Sequence, residues 1–177
     1  MHTGRFQQLA GVTHYVGKQA HRPDQVQLFE GASGVKVFRV PDAMPRAWAV
    51  HRVVSAPTTF AASERIQDAA FDFRTTVSLR GEAPALESCE GDTVQVVRHG
   101  SNRVTMRAQM KCRGMVILGD SFYPGWRAKV DGRPAAIHAA FGVVRGIVVE
   151  AGAHEIDMRF VPTAWWPFGA ACTVNGC

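Results

Sequence analysis

Hydrophobic and polar positions alternate with a period of two along much of this chain. The clearest run is Arg103–Met110. There Val104, Met106, Ala108 and Met110 fall on one side, and Arg103, Thr105, Arg107 and Gln109 on the other. Successive side chains of a strand point to opposite faces, so this run predicts a strand with one face in a core and one in water. The same reading applies to His154–Phe160, where His154, Ile156, Met158 and Phe160 share a face and Glu155, Asp157 and Arg159 take the other. Met115–Leu118 is different. It is apolar without a break and predicts a fully buried strand. Thr93–Arg98 and Val143–Val149 are further strands, and Trp126–Val130 with Pro134–His138 flank Asp131-Gly132, the strongest short hairpin signal in the chain.

The first half is patterned more weakly. Val12–Val16, Gln27–Phe29, Val35–Val40, Ala47–Val54 and Thr75–Leu79 read as short strands, the second and third joined by the Gly-containing loop 30–34. Thr58–Ala70 is the one clear helix, capped by Thr58 or Thr59, with Phe60, Ala61, Ile66 and Ala70 at roughly helical spacing. The expected fold class is mainly β, an antiparallel β-sandwich with one helix in a smaller N-terminal α+β part. The expected organisation is an α+β part over 1–80, a linker over 81–92, a β-sandwich over 93–162 and a truncated apolar tail over 163–177. The predicted core includes Val104, Met106, Met115, Ile117, Ile147, Val149, Ile156 and Met158.

Composition narrows the function classes. The 177 residues are 46% hydrophobic and 20% charged, which describes a globular rather than a disordered chain. Twenty Lys and Arg against fifteen Asp and Glu leave a net charge of +5. The basic residues are spaced singly, with no Lys/Arg-rich run, so no nucleic-acid partner is expected. No apolar run of about 18 residues is present, and Met1–Ala20 lacks the continuous apolar segment of a signal peptide. The four cysteines lie at positions 89, 112, 172 and 177 without metal-ligand spacing. Cys89 and Cys112 flank two predicted strands, and two states are open to them: a bridge in an oxidising compartment, or free buried thiols.

Candidate chemistry is sparse. Val116–Ser121 is similar to the opening block of GDSL-type hydrolases, in which a Ser after a strand is the nucleophile. A nucleophile needs a base with its own orienting partner. The Asp-x-x-His that supplies both in those enzymes is missing here, and a turn rather than a helix follows Ser121. The seven histidines never fall at H-x-H or H-x-x-x-H spacing, no phosphate loop occurs, and no catalytic residue, metal or cofactor is expected. Tyr123-Pro124-Gly125-Trp126 is more informative. Pro and Gly at its centre suit a type II turn that brings the two aromatic rings together. The rings either close one end of the sandwich core or form a stacking platform for sugar rings. Tyr123, Trp126 and the adjacent Arg127 are the candidate ligand-binding residues.

Longer motifs around this turn resemble the YfhO-type bacterial membrane proteins. Ser121–Arg133 resembles that family's Tyr-Pro-Gly-Trp segment leading to an Asp-Gly turn, and Ala140–Val149 with Ala151–Pro162 resembles the strand pair downstream of it. Met44–His51 and Leu9–Val16 resemble two upstream strands, so the likeness covers about residues 7–162. The family's members are multi-span proteins related to glycosyltransferases that use lipid-linked sugars. The matching region is a large extracytoplasmic segment followed by a last membrane helix. The resemblance therefore implies an extracytoplasmic, non-catalytic domain on the cytoplasmic membrane, with the parent's membrane spans and a cell-envelope glycan or lipid-linked sugar acceptor as partners. The family's catalytic acid lies in early membrane loops absent from this chain, so no catalytic residue carries over. Two departures stand out. Trp165–Ala171 suits a membrane interface but is too short to span it, and position 144 is Val where the family carries an aromatic before Arg-Gly. A stand-alone carbohydrate-binding sandwich and a GDSL-like esterase are the alternatives.

Overall fold

The computed structural model describes residues 3–162. In chain order the elements are α1 (Thr3–Leu9), β1 (His14–Gly17), β2 (Val26–Glu30), β3 (Lys36–Arg39), β4 (Ala47–Val50), β5 (Arg52–Ala56) and α2 (Thr59–Glu64), which continues as a 3-10 turn at Arg65–Gln67. There follow β6 (Thr76–Arg80), β7 (Thr93–His99), β8 (Arg103–Met110), β9 (Gly114–Ser121) and β10 (Trp126–Val130). The last are β11 (Arg133–Ala135), β12 (His138–Ala140), β13 (Val144–Val149) and β14 (Gly152–Phe160). No helix among the described residues is long and apolar enough to cross a membrane.

The fold is mainly β, and two antiparallel sheets dominate it. One has five strands in the order β11-β10-β14-β8-β7, the other four in the order β12-β13-β9-β4. Their facing sides meet in one core. Val104, Met106, Ala108, Met110, Ile156 and Met158 come from the five-stranded sheet, and Ala47, Val116, Leu118, Ile147 and Val149 from the four-stranded one. All eight predicted core residues are buried, six of them here, while Met115 and Ile117 face the other side of the four-stranded sheet. The Asp131-Gly132 hairpin forms, with both residues at positive φ (51° and 79°), the geometry of a type I′ turn, but its second strand is only β11, and His138, expected at that strand's end, begins β12 in the other sheet.

The outer face of the four-stranded sheet is covered too. Trp48, Val50, Met115, Ile117 and Val144 pack there against Leu9, Met44, Ile66, Phe73, Val77, Leu79 and Phe141. β9 is therefore buried on both sides, which accounts for its unbroken apolar run.

This second core corrects the expected division into 1–80, a linker and 93–162. β4, from the N-terminal part, pairs with β9 and forms an edge of the sandwich, with Ala47 opposite Leu118 and Val50 opposite Met115. Leu9, Met44, Ile66, Phe73, Val77 and Leu79 of that part cover β9. Segment 81–92 is no free spacer either. Glu87 N–H donates to Arg113 O (2.9 Å), Arg113 N–H to the Glu87 carboxylate (3.0 Å) and Arg113 Nε to Ala85 O (2.8 Å). The expected tail, 163–177, lies outside the described residues.

Other expectations shift locally. The single strand expected over Ala47–Val54 is two, broken at His51: β4 stays with β9, while β5 pairs in parallel with β6. A parallel pair needs a crossover, and α2 supplies it. The helix is shorter than Thr58–Ala70. Thr58 Oγ1 caps it by accepting from Ala61 N–H (3.0 Å), and Ala62 and Ile66 are buried while Phe60 is exposed. α1 is an additional helix. The expected hairpin of β2 and β3 forms, and β1 extends it to a three-stranded sheet.

Candidate ligand-facing end of the sandwich

The Tyr123–Trp126 turn closes one end of the five-stranded sheet. Gly125 sits at φ 104°, and a Cβ there would lie 2.8 Å from the Phe160 ring and 3.1 Å from Val161 O, so only glycine fits. The turn is fastened by Val161 N–H donating to Gly125 O (2.8 Å). Trp126 and Phe160 are cross-strand partners with ring centroids 5.7 Å apart, and Tyr123 stands 6.2 Å from Phe160. Tyr123 is 64% exposed. Trp126 is half-buried and packs on the sandwich core.

The three candidate residues do not converge. Trp126 faces inward with Ala128 and Val130, whereas Arg127 is exposed and directly opposite Arg159. Strand alternation sends neighbouring side chains to opposite faces, so Arg127 cannot share a ligand surface with the Trp126 ring. Tyr123 and Trp126 share Phe160 as a ring neighbour.

The arginine that meets Trp126 is Arg145. Its guanidinium lies 3.8 Å from the Trp126 ring centroid, and the residue is only 3% exposed. A buried cation needs a partner, and Asp120 provides one: Arg145 Nη2 donates to Asp120 Oδ2 at 3.2 Å. Burial pushes the Arg145 pKa below the usual guanidinium value, and the Asp120 charge works against that shift. Asp120 also accepts from Arg46 (3.2 Å) and meets His99 Nε2 at 3.1 Å, and both of those side chains reach solvent. One carboxylate thus joins a buried cation under an aromatic ring to an exposed Arg–His pair. Its partners come from the residue before β4, the end of β7, and β13, on both sheets. The sequence held one sign of this, a lone Arg within the apolar run Val143–Val149. Asp120, Arg46 and His99 carry none, because only strand pairing brings them together.

Ser121 lies exposed at the end of β9, and the chain turns after it. The nearby His99 faces Asp120 rather than Ser121. At the other end of β9, Cys89 and Cys112 are joined as a disulfide, the first of the two states open to them.

No family model, curated protein or solved structure matches this chain.

Proposed function

We propose that this chain is a non-catalytic, extracytoplasmic β-sandwich of a YfhO-like multi-span membrane protein. It recognises or positions a cell-envelope glycan or lipid-linked sugar acceptor. The observation that carries this reading is the exposed Tyr123 ring beside Phe160 and Trp126, with the Arg46–His99–Asp120 group joined to the same Trp through Arg145. Sugar rings pack their C–H faces on aromatics, and arginine donates to hydroxyls or to the phosphate of a lipid-linked sugar. The Cys89–Cys112 disulfide fits an oxidising compartment outside the cytoplasm. In this reading Trp126 and Arg145 hold the platform from beneath, while Tyr123, Arg46 and His99 meet the ligand.

The test is binding of the purified chain to envelope polysaccharides and to a water-soluble polyprenyl-phosphate-linked sugar, by glycan array and calorimetry. Tyr123→Ala is expected to abolish binding and leave the melting temperature unchanged. Arg127→Ala is expected to leave both unchanged. Wild-type chain that binds none of these ligands, or Tyr123→Ala that binds as wild type, would overturn the reading.

A further inference from the structure

At the end of β9 opposite Asp120, the disulfide is not alone. His51, the residue at which the chain leaves β4 for β5, lies with its ring nitrogens 3.6–3.8 Å from the two sulfurs. Its Nε2 meets Asp92 Oδ2, and its Nδ1 meets Glu87 O at 2.7 Å. Asp92 is oriented in turn by Lys111 N–H, which donates to Oδ1 at 2.6 Å. The His51 and Asp92 side chains are only 12% and 6% exposed. The ring fits because position 114 is glycine: a Cβ there would stand 2.6 Å from His51 Cε1. One imidazole, two sulfurs and one carboxylate therefore converge from three separate stretches of chain, with the nitrogen and sulfur donors all within 4.8 Å of one another.

We infer that Cys89, Cys112 and His51 form a zinc site whenever the disulfide is reduced, with Asp92 holding the imidazole from its far side. Zn–S and Zn–N bonds of about 2.3 and 2.0–2.1 Å at tetrahedral angles place sulfur and nitrogen about 3.6 Å apart, close to the separations found here. The nitrogen that lies 3.8 and 3.6 Å from the two sulfurs is Nδ1, so a zinc ion bound there replaces its contact with Glu87 O and leaves Nε2–H to donate to Asp92 Oδ2, the carboxylate contact that commonly fixes the tautomer of a ligating histidine. The sulfurs need only part to the spacing that two thiolates keep on one metal. They do not drift further, because the Glu87–Arg113 and Ala85–Arg113 hydrogen bonds hold segment 81–92 to the β8–β9 turn without the bond. A cleft of about 730 Å³, lined by Trp48, His51, Cys89 and Asp92 among others, supplies the way in.

The chemistry balances with a dithiol reductant. The dithiol gives two electrons and two protons to the Cys89–Cys112 bond, yielding two thiols, and itself closes to a disulfide. Zn²⁺ then displaces both thiol protons, which pass to water. The strap is thus closed in either redox state, by a covalent bond when oxidised and by a metal when reduced.

The experiment uses the full chain with Cys172→Ser and Cys177→Ser, so that the sulfur ligands are Cys89 and Cys112. Reduced with a phosphine and titrated with Co²⁺, it is expected to develop thiolate-to-metal charge transfer and tetrahedral d–d bands that saturate at one equivalent, and to exchange Co²⁺ for Zn²⁺. The oxidised chain, which needs no further mutation, is expected to show neither. Cys112→Ser is expected to lose the charge-transfer band, and His51→Gln to weaken Co²⁺ binding at least tenfold. Absence of saturable binding to the reduced chain overturns the inference. So do equal binding by the oxidised chain and unchanged spectra in Cys112→Ser. Because Tyr123 and Arg46 are untouched, glycan binding is unaffected by any of these outcomes.

Discussion

Strands β8 and β9 are each eight residues long and sit in facing sheets, yet their sequences follow opposite rules. β8 alternates because its far face meets water: Met106 is fully buried and Gln109 exposed. β9 does not alternate because Leu9 of α1, Ile66 of the 3-10 turn, Phe73, β6 and the Phe141 loop cover the face that β8 leaves open. The comparison teaches that periodicity reports how many faces of a strand are buried, and not what buries them. β8 could be read completely from its own residues. β9 announced a second layer without saying that segments of residues 3–80 and the Phe141 loop supply it.

The largest expected effect lies where β9 abandons its own rule and carries a carboxylate. Asp120→Asn leaves the buried Arg145 cation without its counter-charge and is expected to cost about 3–5 kcal/mol by chemical denaturation. Arg145→Met is expected to cost clearly less, because Asp120 keeps Arg46 and His99. Equal losses would show that the pair is not what holds Trp126 in place.

Alanine substitution along the two strands tests the comparison itself. Ile117→Ala and Leu118→Ala are neighbours on opposite faces of β9, and each is expected to cost about 2–5 kcal/mol. On β8, Met106→Ala should fall in the same range, while Gln109→Ala should stay within about 0.5 kcal/mol. A near-zero cost for Ile117→Ala would remove the second core.

The disulfide sits at the seam between the layers and joins residues 23 apart in sequence. Replacing Cys89 and Cys112 by Ser is expected to cost about 2–4 kcal/mol, measured with a chelator present. A smaller loss would mean that the Arg113 hydrogen bonds alone hold segment 81–92.

The smallest effect sharpens the contrast at the exposed edge of the five-stranded sheet. Asp131 accepts from Glu155 N–H (2.9 Å) and meets His154 Nδ1 (2.7 Å). The hydrogen bond to Asp131 holds the His154 pKa above the usual imidazole value. The Glu155 amide, then His154, hold Asp131 below the usual carboxylate value. A raised histidine pKa contributes stability that is full below the ordinary imidazole value and lost as pH rises through the folded one. A depressed carboxylate contributes stability that is full above its ordinary value and lost as pH falls through the folded one. The clamp is therefore complete between the two ordinary values. Asp131→Asn, which keeps the left-handed turn, should flatten the melting-temperature profile at both edges of that window. A profile identical to wild type would place the pH dependence elsewhere.

Much of the fold was legible because it is local. The alternation of β8 and β14, the Asp-Gly hairpin and the Thr58 cap each depend on residues within a few positions of one another. The helix was overextended because apolar spacing alone does not say which face is covered; Phe60 fits the period and points to solvent. The candidate site was legible only in part. The aromatic turn is visible in the sequence, but Arg127 is its basic neighbour along the chain only, and strand alternation turns that side chain away. Arg145, eighteen positions further on, reaches the Trp126 ring across the sandwich instead.

By itself the sequence determined the class of this protein, mainly β with alternating strands, because strand geometry converts apolar spacing directly into buried faces. Tertiary structure alone decided which strands distant in sequence share a sheet, that β4 joins the sandwich, and that Asp120 gathers Arg46, His99 and Arg145. It also decided that His51 and Asp92 stand beside Cys89 and Cys112. The pairing of β4 with β9, the gathering at Asp120 and the approach of His51 to the disulfide each join residues 20 or more positions apart, whose meeting is governed by how the layers cover one another's apolar faces. No local pattern encodes that.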